Sequence, residues 1–522
     1  MDQFLSKHAN AVIGTLSGFD RLVFRGTLRR LAHSGGMMSY LWAMGILLKD
    51  FVSHAETLTR RLKEASVELA RRTSRPVRYL PSSGTSKEQI AREIARADGI
   101  TEGLICVLTA VEPCLSYEIV RDRESKHLKL MPRHRKCLFL YYYQIHPVFG
   151  FMHARIQTWF PFSIQICING REWLARSMDA EGIGYVQREN CFTWIEDPAR
   201  AQHLMDQQVK AAWPDLLDAV ARGLNPLHDE MFQACPIDYY WSTYQSEWAT
   251  DILFQNSKSL ARLYPKLVHH GLTTFLSADV MRFLGKAIPS SGQVPPRPQA
   301  EVASDMKTRP EGVRIKHRLG GNSIKIYDKQ GSVLRVETTI NDAAGFKSFR
   351  TPEGKPDAEP AWHTMRKGIA DLHRRAEVSQ AANGRYLRAL ASVEDTTSLG
   401  ELTTKLAQPV KRDGRRARPF NPHAPDDAKL IEVISRGEFT INGFRNRDLR
   451  ALLYADDSAP REQQRRHAAA VSRKLALLRA HRLIRKVQGT HRYHLSEHGR
   501  VIVTALIGIR NIGTSKVLQL AA

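Results

Sequence analysis

Six β-type runs follow one another between residues 104 and 169, and that density constrains the fold more than any other feature of the chain. They span 104–111, 116–120, 127–131, 137–145, 151–159 and 162–169, the last two joined as a hairpin at Phe160-Pro161. An earlier run, 18–26, alternates apolar and polar residues and reads as a further strand flanked by glycines. Strand succeeds strand without crossover helices, so this part of the chain is expected to form an antiparallel sheet. Thr85 and Glu88 have capping-box spacing ahead of a helix beginning near Gln89, and a helical pattern resumes over 170–178.

Further along, helices are expected to dominate 198–284, and the prolines of 288–310 mark a linker or long loop. Strands return over 312–340, with a hairpin turning near Asp328-Lys329-Gln330-Gly331. The expected organisation is an N-terminal α+β region (1–197), a helical region (198–287), the proline-rich stretch (288–310) and a β-hairpin completing the core (311–350). A basic helical segment (351–407), a Pro/Arg-rich linker (408–425) and a C-terminal module (426–510) follow. At 522 residues the chain is long enough for about two to four domains. No apolar run reaches the roughly 18 residues of a membrane span, and the first eight residues lack the pattern of a secretion signal. A cytoplasmic location and no membrane partner are expected.

Charge points to a partner. The chain carries 77 Lys and Arg against 53 Asp and Glu, a net +24. Residues 396–522 hold 24 basic and 11 acidic residues, net +13, so over half the excess lies in about a quarter of the length. Self-repulsion on that scale is relieved by a polyanion, which makes nucleic acid the expected partner: duplex DNA first, RNA second. A homodimer is the candidate assembly.

The C-terminal pattern is specific. A helix over 426–434 is followed by one over 446–454 with Asn446 as its cap, then by a long helix from Arg461 whose Val471, Leu475 and Leu478 share a face. Arg465, Arg466, Arg473 and Lys474 lie on its other side. Strands 483–487 and 491–495 then flank a Gln488-Gly489-Thr490 turn, giving a ribbon with Arg485, Lys486 and Arg492, and a closing helix starts near Glu497. Three helices and a basic hairpin make a winged helix, whose third helix enters the major groove while the wing follows phosphates. The fold class expected for the whole is therefore α+β: a mixed antiparallel-sheet core, a helical middle region and a C-terminal winged-helix domain. Residues 472–500 resemble MarR-type winged-helix regulators and the related domains of many replication and transposition proteins. That resemblance implies nucleic-acid binding by Arg465, Arg466, Arg473, Lys474, Arg485, Lys486 and Arg492.

About 400 residues precede this module, more than a repressor needs. Within them, Tyr327 and Glu337 fall on neighbouring strands of the predicted hairpin, with Lys329 and Arg335 beside them. A phenol nucleophile, a metal-binding carboxylate and cations are what phosphodiester transesterification requires. Residues 322–340 resemble a motif of rolling-circle replication initiators, in which a Tyr-Asn-Lys element precedes a strand reading Arg-hydrophobic-Glu. Asp328 stands in place of the Asn, and the His-hydrophobic-His pair of that family is missing. A plainer reading makes 327–331 a hairpin turn and Arg335/Glu337 a same-face salt bridge.

Two other acidic positions suit a metal. Asp20 lies in the first strand, and Glu247 and Asp251 have i, i+4 spacing in a segment expected to be helical. Asp20, Glu337, Glu247 and Asp251 are thus the candidate metal ligands, and Asp20, Tyr327, Lys329, Arg335 and Glu337 the candidate catalytic set. Magnesium or manganese is the expected cofactor, for a metal-dependent strand transferase or endonuclease of the replication-initiator, transposase or nuclease kind; a non-catalytic winged-helix regulator is the alternative. None of the six cysteines forms a zinc-type pair, and no nucleotide or haem motif is evident. The stretch 133–159, rich in aromatic and basic residues, reads either as a base-stacking sheet face or as core.

Overall fold

The computed structural model describes residues 1–82, 84–275, 277–285, 302–309, 312–352, 357–391, 399–404, 406–412, 414–436, 439, 443–454, 460–487 and 490–510. Helices and a large mixed sheet make the chain α+β. The strands are β1 (Val12–Thr27), β2 (Val77–Tyr79), β3 (Gly103–Arg121), β4 (Leu128–His146), β5 (Gly150–Gln157), β6 (Ile164–Asn169), β7 (Tyr185–Arg188), β8 (Cys191–Ile195), β9 (Tyr240–Phe254), β10 (Val302–Arg309), β11 (Gly312–Leu319), β12 (Asn322–Lys329) and β13 (Val333–Ile340). Eleven of them form one sheet in the order β10-β11-β12-β13-β9-β1-β6-β5-β4-β3-β2, antiparallel throughout except for the β2–β3 pair; β7 and β8 form a separate hairpin.

Three expectations about the main sheet change. The six short runs of 104–169 are four strands, because β3 and β4 each continue through 19 residues as one long hairpin. The helical middle contains β9, the central strand joining the N-terminal half of the sheet to β13. Residues 302–309 of the expected loop pair with β11 as an edge strand, while 286–301 lie outside the described residues. The partition at 197, 287 and 310 therefore cuts through a single sheet.

Helices cover both faces. The helix Phe51–Arg72 buries Phe51, Ala55, Leu58, Leu62 and Ala70, a stripe at three- and four-residue spacing, against residues of β3 and β4 such as Val107 and Tyr142. On the same face the helix Leu372–Leu390 inserts Asn383, whose amide donates to the carbonyls of Trp248 and Val336. The opposite face carries the helices Lys87–Ala97, Gly170–Glu181 and Pro198–Gln207. Ser86 caps the first by accepting from Gln89 N, one residue later than the expected Thr85 cap. Asn169 caps the second through Arg171 and Glu172 N, and Gly182 ends it at φ 71°. Residues 361–364 of the expected basic helix are a strand pairing with Lys347–Arg350.

The C-terminal segment has its own core. Helices Pro425–Ile434, Asn446–Leu453 and Arg461–Ala480 are followed by the paired strands Ile484–Lys486 and Tyr493–Leu495 and the helix Glu497–Arg510. Val471, Leu475 and Leu478 are buried together with Leu430, Phe444, Leu449 and Leu495. Asn446 is not the cap: its amide donates to Ala468 O and Ser472 Oγ, and Asp448 closes the helix start by accepting from Arg445 N. The expected linker 408–425 belongs to this core as well. Phe420 is fully buried in it, and Arg418 makes a bidentate pair with buried Asp427 at 2.6 and 2.7 Å. Among the described residues no helix is long and apolar enough to cross a membrane, and the six cysteines are free.

Candidate functional site

Strand register assembles the site. The β12–β13 hairpin turns through Gln330 (φ 54°) and Gly331 (φ 73°), so Tyr327 faces Arg335 and Lys325 faces Glu337. On its other side β13 pairs Arg335 with Asp251 and Thr339 with Glu247 of β9. Residues two apart on a strand share a face, which puts Glu247, Asp251, Arg335 and Glu337 on one side of the sheet. β1 completes the set through a bulge. Phe19 pairs with Trp248 and Arg21 with Glu247, leaving Asp20 as the extra residue between them. Phe19 packs edge-on against Trp248, and the bulge re-aims Asp20 toward Glu247 and Glu337.

One oxygen from each of Asp20, Glu247 and Glu337 lies within 4.8 Å of the others. Asp20 and Glu337 are buried and Glu247 is half-buried. Burial, and next the charge of Glu337, pushes Glu247 up to about 7. Glu337 is held low in spite of burial, because Lys325 Nζ lies 2.6 Å from its Oε1 and Tyr327 donates to its Oε2 at 2.8 Å. Burial and the same carboxylate drive the Tyr327 phenol well above its ordinary value. An all-oxygen set with a carboxylate that repels its neighbours suits a hard divalent cation such as Mg²⁺ or Mn²⁺.

Asp251 belongs to a different arrangement. Arg335 reaches it at 2.5 and 2.8 Å, and Arg171 at 3.1 and 3.3 Å, all three side chains being buried. Burial alone would raise Asp251; the two guanidinium groups keep it low. The i, i+4 pairing of Glu247 and Asp251 as joint metal ligands is thus corrected: on a strand those residues stand about 13 Å apart along the chain, and Asp251 is saturated by arginine. Arg335 also donates to Asp20 at 3.1 Å rather than to Glu337, so the expected Arg335/Glu337 bridge is replaced by Arg335–Asp20 and Lys325–Glu337.

Above this floor stands the tip of the β7–β8 hairpin. Asn190 donates to both Asp20 oxygens at 3.0 and 3.2 Å, its backbone carbonyl accepts from Arg335 at 2.8 Å, and Lys329 donates to its side-chain oxygen. Lys329 thus bonds Asn190 and also stands over the Tyr327 ring, 6.0 Å from its centroid. A cleft of about 900 Å³ opens beside Asp20 and Glu247, walled by the helix Lys87–Ala97, β5, β6 and this hairpin. Its lining carries six carboxylates, including Glu88 and Glu172, against the guanidinium groups of Arg21, Arg92 and Arg96, so it favours cations.

Sequence reasoning brought Tyr327, Glu337, Asp20 and Arg335 to one place and missed Lys325, Asn190 and Arg171. Lys325 was available from the turn, since a hairpin centred on Gly331 sets it opposite Glu337; Asn190 and Arg171 arrive by long-range packing that leaves no local signal. His153 lines the cleft with its ring stacked on Tyr143 at 4.8 Å, and burial followed by Arg21 lowers it to about 3. Tyr141, Tyr142 and Tyr143 are buried and belong to the core, whereas Arg133, His134, Arg135 and Lys136 are exposed, with Arg135 over the Trp159 ring at 3.7 Å.

In the C-terminal segment Arg465, Arg473, Arg485 and Lys486 are exposed. Arg466 is exposed and paired with Glu462 at 2.6 Å. Lys474 is largely covered, 3.6 Å from Asp426, and Arg492 lies over the Trp362 ring at 5.3 Å. No family model, curated protein or solved structure matches the chain.

Proposed function

We propose that the chain is a cytoplasmic nucleic-acid-processing enzyme that works on phosphodiesters with a divalent metal and is brought to its target by a C-terminal winged helix. The observation that carries the reading is the convergence of Asp20, Glu247 and Glu337 from three adjacent strands at the edge of an acidic cleft. Bound there, Mg²⁺ or Mn²⁺ would polarise a phosphoryl oxygen and offset charge at phosphorus. Lys325 and Tyr327 hold Glu337 in place, Arg335 and Asn190 hold Asp20, and once a metal offsets the carboxylates of the cleft the exposed Arg21 and Arg96 on its wall offer cations to a phosphate backbone, Arg92 being taken up by Glu88 and Glu172. Tyr327 is a positioning residue in this reading: its hydroxyl is buried against Glu337 and its phenol resists ionisation, which suits a nuclease- or transposase-like reaction better than a tyrosine nucleophile. The helices Pro425–Ile434, Asn446–Leu453 and Arg461–Ala480 and the ribbon that follows them support the winged-helix reading, in which they serve DNA binding.

A non-catalytic regulator is the second reading, favoured by one observation: Asp20 and Glu337 already hold cationic partners, as a purely structural network would. Metal titration separates the two. Mn²⁺ should raise the melting temperature of the wild type and leave that of Glu247→Gln unmoved; cleavage of single-stranded or duplex DNA should vanish in Glu247→Gln and fall about 10–100-fold in Tyr327→Phe, the range for a residue orienting a ligand. No thermal response to Mg²⁺ or Mn²⁺ in the wild type would leave the regulator.

A further inference from the structure

Beyond the last residue of β13 a small hairpin pairs Lys347–Arg350 with Ala361–Thr364 and sets Phe349 directly across from Trp362, ring centroids 5.5 Å apart. Phe349 is 54% exposed, which is unusual for a phenyl ring on a strand. Two arginines, one of them (Arg374) also paired with Glu377 at 2.7 Å, reach Trp362 from the two parts of the molecule. Arg374 lies over Trp362 at 5.5 Å, and Arg492, from the turn end of the C-terminal ribbon, lies over the same ring at 5.3 Å. Arg445 and Arg447 add like charge next to Arg492, with Asp448 as an opposing carboxylate acting on it. The segment that leaves the small hairpin hydrogen-bonds to β9 through Thr243 N and Lys367 O, and there Lys367 covers the ring of Tyr244, itself 46% exposed.

We propose that Phe349 and Trp362 form a stacking platform for the unpaired bases of a single-stranded nucleic acid, adjoining the C-terminal ribbon. An exposed Phe349 ring beside a half-buried Trp362 that carries guanidinium groups complements a polyanion that has free bases. A duplex keeps its bases stacked and offers such rings nothing. The acidic cleft repels a polynucleotide in the absence of metal, so metal-free binding of a strand falls to the electropositive aromatic surface outside it. This inference rests on the nucleic-acid reading above, and it assigns Arg492 to the platform in place of phosphate contact along a groove.

The test is binding by the full-length protein in EDTA, measured by fluorescence anisotropy with a labelled 20-nucleotide single strand and with a 20-base-pair duplex. Phe349→Ala removes an exposed ring and is expected to weaken single-strand binding about tenfold, the scale of one lost base stack, with duplex affinity changed less than twofold. Trp362→Phe should retain most of the single-strand affinity, whereas Trp362→Ala should lose it. Unchanged single-strand binding in Phe349→Ala, or equal losses for both nucleic acids, overturns the platform while the proposed function stands. A wild type that binds neither substrate overturns both. A wild-type dimer that becomes monomeric in Phe349→Ala would assign the patch to a second copy of the chain and likewise overturn the proposal.

Discussion

Glu247 is the carboxylate whose surroundings serve it least well as an anion, and that gives the site a pH signature. Burial and Glu337 raise it from 4.5 to about 7, so the folded chain holds a proton there that the unfolded chain has released. Its stabilising effect is present below about pH 4.5 and is lost as pH climbs through 7. Relative to Glu247→Gln, the metal-free protein should therefore lose stability across that window, and saturating Mn²⁺ should reverse the slope because the ion binds the deprotonated set; urea melts at a series of pH values measure both. Asp251 behaves oppositely. Truncating it to Ala leaves Arg171 and Arg335 buried without their shared carboxylate, and a loss of about 3–5 kcal/mol in urea unfolding is expected. The pairing of Tyr327 with Glu337 was legible from a turn sequence and a two-residue period. The partners of Asp20 and Asp251 were not, since Arg335 is 315 residues from Asp20 and 84 from Asp251 in sequence.

Elements were read well where their surroundings are one-sided and badly where they are not. The helix Arg461–Ala480 and the β12–β13 hairpin carried periodic or turn signals that survive in the structure. β9 carried neither. From Trp248 to Phe254 every residue is buried, because β13 and β1 flank the strand while helices cover both its faces, and no alternation remains for a sequence to display. The long β3–β4 hairpin was broken into short runs at Glu112-Pro113, a charge and a proline, and at 132–136, an exposed and mostly basic run, neither of which interrupts the pairing. The bulge at Asp20 depends on a close approach between elements. A Cβ on Gly170 would stand 1.9 Å from the carbonyl oxygen of Phe19, a backbone atom that cannot swing aside. Gly170→Ala should push the helix Gly170–Glu181 off β1, destabilise the fold by about 1–3 kcal/mol and weaken the thermal response to Mn²⁺, which calorimetry with and without the ion would register.

At the scale of the molecule, the acidic cleft and the basic C-terminal segment divide the electrostatics between them. The boundary of that segment lies further upstream than composition suggested, since Leu406, Phe420 and the Arg418–Asp427 pair belong to its core. A fragment beginning at residue 399 should give a cooperative thermal transition and bind duplex DNA with an affinity that falls steeply with salt; one beginning at 426 should melt without cooperativity in circular dichroism. The path of the sheet has a temporal consequence. β1 emerges first from the ribosome, yet one of its two partners, β9, ends at Phe254, and the hairpin that supplies Glu337 ends later still at Ile340. At about 5–20 residues per second the first strand waits on the order of 10–50 s for β9. During that interval its long apolar edge is open to the wrong neighbour, so the yield of native protein in a cell depends on the speed of translation and on whatever shields a nascent chain.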